Sequence, residues 1–258
     1  VTTFERRQRL LNLLKDRPGI GVDQLADFLE VSQGTIRNDL NDLAASGMIM
    51  RVRGGAVLLD GQGGHSPSFT ERAKANVNAK RSIARKAAEA IQNGDALLFD
   101  ASSTVYYLAK ELTGHRGLTI LTNGVEVAIE LAKNTYNTVI LVGGVLRPDG
   151  TSITTLLSER IFENLHIKKA FVSCSGFSIE NGMTEVDLQE AILKKKMIET
   201  VDAVYALIDA SKFGKVDLTS FAGVERITQL YTESRLSEDW INRLLLAGIH
   251  FTLCEDER

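Results

Sequence analysis

Val31-Ser32-Gln33-Gly34-Thr35-Ile36-Arg37-Asn38-Asp39-Leu40 sorts its side chains by chemistry. Ile36, Leu40 and Leu43 recur at i, i+4 and i+7, the buried stripe of a helix. Gln33, Gly34, Arg37, Asn38 and Asn41 fall on the other face, with Ser32 and Thr35 at its start. Small, hydrogen-bonding and cationic side chains on an exposed helix face suit phosphates and base edges. Ser32 is the expected N-cap and Gly47 the stop.

A second set of chemically capable residues follows a series of short apolar runs. Asp100, Ser102, Ser103 and Thr104 come after 96–99, and Thr122-Asn123-Gly124 after 118–121. Gly143-Gly144, then Arg147, come after 139–142, and Asp209-Ala210-Ser211-Lys212-Phe213-Gly214 after 204–208. Hydroxyls and free amides at a helix start make a phosphate site. Arg147 and Lys212 would add positive charge, with Lys194 a weaker candidate on a helix at 188–199. Asp100 better suits a sugar hydroxyl than a phosphate. Singly, each feature is more ordinary: Ser and Thr usually only cap a helix, a Gly pair is usually only a turn, and a lysine usually lies in solvent.

Two kinds of element must position these sets. Around the first, residues 6–15 predict a helix with Leu10, Leu11 and Leu14 inward and Arg6, Arg7 and Arg9 outward. Residues 23–29 predict a second helix, anchored by Leu25 and Leu29. Met48 to Val57 alternates apolar and basic residues and turns at Gly54-Gly55, which predicts a β-wing carrying Arg51 and Arg53 on one face. The contacts expected with nucleic acid are therefore Arg6, Arg7, Ser32, Gln33, Thr35, Arg37, Asn38, Asn41, Arg51 and Arg53. Around the second set, apolar runs alternate with helical patterns at 104–112, 125–132 and 188–199. The runs are continuous, so they read as strands buried on both faces, in a parallel α/β sheet. Ligands of open α/β sheets bind beyond the carboxyl ends of the strands, where the polar residues collect. A strand near 227–231, a helix at 238–247 and a last strand at 250–253 complete the expected elements.

Composition sets the frame. The chain has 258 residues, 44% hydrophobic and 24% charged, room for one small and one medium domain. Residues 1–59 hold eight Lys/Arg and seven Asp/Glu, so DNA contact must come from local clusters rather than bulk charge. Residues 60–258 carry 22 basic and 26 acidic residues, a mild asymmetry of the expected sign. Cys174 and Cys254 are far apart and lack metal spacing, which predicts reduced thiols and no metal. With no apolar leader or membrane-length run, the expected location is the cytoplasm. Residues 60–68 are the only Gly/Ser/Pro-rich stretch. The expected division is 1–59, a linker 60–74, and 75–258. Residues 69–86 read as helical and basic, with Arg72, Lys74, Lys80, Arg81, Arg85 and Lys86; the more ordinary reading is a solvated face, the functional one a connector that transmits motion or adds phosphate contacts.

In order along the chain, Val31-Ser32-x-x-Thr35-Ile36-Arg37-x-Asp39-Leu40, Gly54-Gly55-Ala56, Thr122-Asn123, Gly143-Gly144, Phe171 to Gly176, Gly182-Met183-Thr184 and Asp209-x-Ser211-Lys212-Phe213-Gly214 resemble the DeoR family of bacterial transcriptional repressors. The resemblance implies a winged helix-turn-helix joined to an α/β sensor domain of the ribose-5-phosphate isomerase and CoA-transferase type. It further implies a phosphorylated sugar or related metabolite as effector. The chain departs from the family pattern at Asn38, where Arg is usual, and at Arg53, where His is usual. Ser102 and a position near Thr155 stand where Gly is usual, and Tyr231-Thr232-Glu233 replaces Ile-Thr-Asp.

The expected function is a metabolite-responsive repressor of a carbohydrate-metabolism operon, with no cofactor. Its partners would be double-stranded operator DNA, a small anionic effector and a second or further copies of itself in a homodimer or homotetramer. The alternative is a sugar-phosphate isomerase with a DNA-binding appendage, using Asp100, Asp187 or Asp209 as base and Lys212 as its partner. No spacing forces those residues together, and a regulator needs only binding. A DNA-architectural protein with an inactive sensor is the third reading.

Overall fold

The computed structural model describes residues 3–17, 20–45, 49–52, 55–58, 68–147, 149–156 and 166–255. The chain divides into two compact units, Val1–Gly64 and His65–Arg258.

The first unit is built on helices α1 (Thr3–Asp16), α2 (Val22–Leu29) and α3 (Gln33–Ala45), followed by the antiparallel pair β1 (Ile49–Val52) and β2 (Gly55–Leu58). Its core is the predicted stripe set: Leu10, Leu14, Leu25, Ile36 and Leu40 are all at most 1% exposed. Ile49 and Ala56 tie the wing into this core, and Gly21 bridges to Gly55. Gly47, Arg53 and Gly54 lie outside the described residues.

The second unit opens with two helices, α4 (Phe69–Lys74) and α5 (Val77–Ala88). Residues 69–74, expected in the linker, are thus a capped helix: Ser68 accepts from the Glu71 amide while Glu71 accepts from the Ser68 amide. Phe69 is buried, with its ring edge-on to Tyr106.

Seven parallel strands follow: β3 (Ala96–Phe99), β4 (Thr119–Thr122), β5 (Thr138–Leu141), β8 (Ile167–Val172), β11 (Val201–Leu207), β13 (Gln229–Glu233) and β14 (Phe251–Cys254). Their order is β14-β13-β11-β8-β3-β4-β5. The chain runs outward from β3 to β5, returns to place β8 on the other side of β3, and then runs outward again. That reversal opens a crevice at the carboxyl ends of β3 and β8.

Successive residues of a strand point to opposite faces. Leu97 and Phe99 pack with α5, α6 (Ser103–Glu111) and α7 (Val125–Leu131), while Leu98 packs with α8 (Leu188–Glu199) and α9 (Glu238–Leu246). Both faces are covered, hence the unbroken apolar runs. Two features have no counterpart in the sequence reading. One is the hairpin β6 (Gly144–Leu146) and β7 (Ile153–Leu156); the other is an antiparallel sheet of β9 (Gly176–Ser178), β10 (Gly182–Glu185) and β12 (Thr219–Ala222). Gly182 has φ +64°, and a Cβ there would meet the Ala222 carbonyl oxygen at 2.1 Å. Only glycine fits that turn.

Candidate functional site

Ser32 starts α3 as predicted: its hydroxyl accepts from the Thr35 amide at 3.1 Å. Gln33, Gly34, Arg37, Asn38 and Asn41 are exposed. Arg37 donates to Gln33 Oε1 at 3.2 Å, so these two present a joined polar edge one turn apart. Arg51 is exposed on the wing.

Arg6 and Arg7 correct the expected outward cluster. Asp39, 2% exposed, lies on the inner side of α3. It accepts from Arg6 Nε at 2.6 Å and Arg7 Nε at 2.9 Å, and Arg7 also pairs with Asp42. Burial works against the Asp39 carboxylate, but the two guanidinium groups hold its pKa below the ordinary value. These arginines fasten α1 to the recognition helix. Arg9, by contrast, is exposed.

In the second unit, the crevice holds a buried ionic group. Asp100, wholly buried, accepts from the amides of Ser102 (3.0 Å) and Ser173 (2.9 Å) and pairs with Lys194 at 2.9 Å. Lys194 also donates to Glu185 (2.5 Å) and to the Ser173 carbonyl (2.8 Å). Burial alone would discharge Lys194, but Asp100 and Glu185 outweigh it and raise its pKa. Burial pushes the Glu185 carboxyl up against the pull of Lys194. Asp100 and Lys194 are two of the residues expected to contact an effector. Each is engaged with the protein itself and joins β3, β8, β10 and α8 into one block.

Arg147 is ion-paired likewise. It pairs with Asp187 at 2.8 Å and lies 3.6 Å from both Asp149 and Glu190. Three carboxylates thus surround one guanidinium, whose Nε is buried without a hydrogen-bond partner. Ser152, wholly buried, adds a hydroxyl to Glu190 at 2.9 Å.

The hydroxyls divide the same way. Ser102, not Ser103, is the N-cap of α6, accepting from the Val105 amide at 3.2 Å. Thr122 Oγ1 accepts from the Gly124 amide at 3.1 Å. Ser103 and Thr104 are buried in the first turn of α6. Gly143 has open space where a Cβ would stand, and Gly144 opens β6.

Four groups along the rim are left with bonding capacity, among them Arg147 Nε, which is buried without a hydrogen-bond partner. Asn123 donates to the Ile153 carbonyl, but its Oδ1 is buried without a partner. Asp209 Oδ2 is in the same state. Lys212 makes no ion pair among the described residues, unlike Arg147 and Lys194. Hollows of about 290 and 280 Å³ lie elsewhere, the first beside Ile198, Phe221 and Arg226 and the second beside Leu112, Asn134 and Tyr136. Asp100, Thr122, Asn123 and Asp209 are all at most 1% exposed, while Gly143 and Ser211 are exposed and Lys212 is half-buried.

Sequence reasoning did not single out Glu185, Asn76, Lys80 or Glu233 for this rim. Glu185 stood three residues past Gly182, and nothing in its spacing tied it to Asp100. Lys80, assigned to a solvated face, is 3% exposed. Glu233 ends β13, its Oε2 accepting from the Ala210 amide at 2.8 Å, and burial raises its pKa. Among the described residues no group of His, Cys, Asp or Glu could hold a metal, and no helix is long and apolar enough to cross a membrane.

A helix-turn-helix with a β-wing, followed in one chain by an α/β unit with a polar rim, is the layout of a two-domain transcription regulator. The sequence profile of the DeoR-like helix-turn-helix domain matches residues 6–62, and that of the DeoR C terminal sensor domain matches residues 75–234. The chain belongs to the DeoR family of transcriptional regulators. It is 36% identical to the HTH-type transcriptional regulator GolR of Listeria innocua over 98% of this chain and 99% of that one. It is 30% identical to the glycerol-3-phosphate regulon repressor of Escherichia coli K12, over 89% of this chain and 90% of the relative. These relatives are regulators, not enzymes, and the isomerase alternative falls with them. The solved ribose 5-phosphate isomerase A of Methanocaldococcus jannaschii is 12% identical, with a TM-score of 0.40 over 54% of this chain and 55% of that one.

Proposed function

We propose that the protein represses a carbohydrate-metabolism operon in the cytoplasm, and that a phosphorylated sugar or related metabolite at the rim releases it from operator DNA. The observation that carries the ligand reading is the set of unused groups at the strand ends. Asn123 Oδ1 and Asp209 Oδ2 are buried acceptors without donors, which sugar hydroxyls would supply. Lys212 and the first turn of α6, with Ser103 and Thr104, offer positive potential to a phosphate. The glycerol-3-phosphate in one relative's name is a phosphorylated polyol of this chemical kind.

On the DNA side, Gln33, Thr35, Arg37, Asn38 and Asn41 would read the major groove while Arg51 and Arg53 grip the backbone. One such helix covers too few base pairs for useful specificity, so the active form is a homodimer or homotetramer on a symmetric site.

The test begins with a duplex selected by the protein from a random pool. Arg37→Ala should lose about 1–3 kcal/mol of affinity for it. A thermal-shift screen of phosphorylated sugars and sugar acids should then find a stabilising compound whose binding weakens in Lys212→Ala. The same compound should loosen the protein from its duplex, and DNA should weaken the compound by the same factor. Unchanged DNA binding by Arg37→Ala, or a screen without any stabilising compound, would sink the respective half of the proposal.

A further inference from the structure

The chain enters the second unit through α4, and α4 meets α5 at an elbow, Ala75-Asn76. Asn76 there has φ +51°, a left-handed conformation that asparagine tolerates better than most residues. The elbow is fastened from both sides. Lys80 Nζ, buried, donates to the carbonyls of Arg72 and Ala75 and so closes the end of α4. Tyr107 donates to the Ala73 carbonyl at 2.9 Å. Asn76 Nδ2 reaches the rim itself, donating to Asp209 Oδ1 at 3.0 Å.

Asp209 is used unevenly. Oδ1 takes three donors: Asn76, the Ser211 amide at 3.1 Å and the Ser211 hydroxyl at 2.5 Å. Oδ2, equally buried, takes none. Two of the three bonds are local, formed within one Asx-type turn that the chain holds closed. The Asn76 bond spans 133 residues of sequence and is the one with no local tether.

We infer that the Ala75-Asn76 elbow is the moving part of the sensor: a rim ligand and Asn76 share the Asp209 carboxylate, so a ligand engaging it loosens the segment that leads to the DNA-binding unit. A hydroxyl donated to Oδ2 draws charge from Oδ1 and turns the carboxylate toward the ligand. The untethered bond is the first to weaken. A ligand acts on an equilibrium only through such differential contact with its two states. This inference rests on the ligand reading of the rim, and it adds the route by which occupation is transmitted.

The experiment needs no ligand, so its failure is distinct from failure of the screen above. Asn76→Gly removes the amide and keeps the left-handed backbone free of strain; Asn76→Asp sets a second carboxylate against Asp209. Hydrogen exchange of residues 69–76 in the full chain should quicken about tenfold or more in both, the worth of one hydrogen bond to a charged acceptor. Affinity for the selected duplex should shift at least fivefold in the same direction in both, although neither substitution lies in the helix-turn-helix. Exchange at the wild-type rate in both variants overturns the latch. Quickened exchange with unchanged DNA affinity overturns its coupling to the DNA-binding unit.

Discussion

Removing the ammonium from the buried group at the β3–β8 crevice isolates the energetics of the second unit. In Lys194→Met the stem volume is nearly kept while three contacts are lost: Asp100 at 2.9 Å, Glu185 at 2.5 Å and the Ser173 carbonyl at 2.8 Å. Asp100 retains the amides of Ser102 and Ser173. Glu185, 6% exposed, is left without its cation. Breaking a buried pair from one side costs about 3–5 kcal/mol, mostly the desolvation of the stranded charge. For a unit of this size each kcal/mol lowers the melting temperature by about 2–4 °C, so roughly 6–20 °C is expected. The deficit should depend on pH with a definite sign. The Glu185 carboxyl already sits above its ordinary pKa through burial, and loss of Lys194 pushes it further. A group raised in the folded state supports folding below its unfolded pKa and opposes it as pH rises. The gap between variant and wild type should therefore narrow at pH 5 and widen at pH 8. Adding Glu185→Gln to the variant should recover at least half of the loss. Calorimetry of the full chain reads all three arms. A shift under about 2 °C, or a deficit indifferent to both pH and Glu185→Gln, would show that the group is not the ionic joint described.

Asp39→Asn should cost the first unit about 1–3 kcal/mol, discounted because Arg6 and Arg7 are partly exposed; hydrogen exchange at Leu40 and Leu43 measures it. The Asp39 pKa is lowered in the folded state, so its contribution is present above the unfolded value of about 3.9 and lost as pH falls through the folded one. The variant should accordingly show a flatter acid limb than wild type. Gly182→Ala should destabilise the second unit by about 1–3 kcal/mol, since φ is +64° and the clash is with backbone; an unchanged melting temperature would mean that the β9–β10 turn rearranges freely.

What was legible in the sequence follows from how local its cause is. Strand β3 and helix α2 fall where the residues placed them, because an unbroken apolar run or a 3.6-residue stripe is self-contained information. Ser32 as a cap needs only its own next turn. The antiparallel sheet was hidden because β9 and β10 span three and four residues, too few for a period to show. Burial of charges was least legible. Lys194 and Lys80 sit in lysine-rich stretches, and only the fold brings Asp100 and Glu185 to one and the α4 carbonyls to the other. Arg6 and Arg7 failed as a free cluster for the same reason: Asp39 is 33 and 32 positions away.

The two units thus treat charge alike. Most of their conspicuous cations are neutralised by carboxylates of the same unit and serve geometry: Arg6 and Arg7 set the recognition helix against α1, while Lys194 and Arg147 set α8 against the strand ends. Pairs of this kind contribute little net stability, but removing one partner strands the other as a costly buried charge. On the proposed reading, recognition falls to groups not so bound: Arg37 and Arg51 on one surface, Lys212 with the bare oxygens of Asn123 and Asp209 on the other. Substituting a bound cation should therefore shift melting more than affinity, and substituting an unbound one should do the reverse. The rim is the place where that division is sharpest, because Asp209 belongs to both sets, with one oxygen holding the elbow and the other held by nothing.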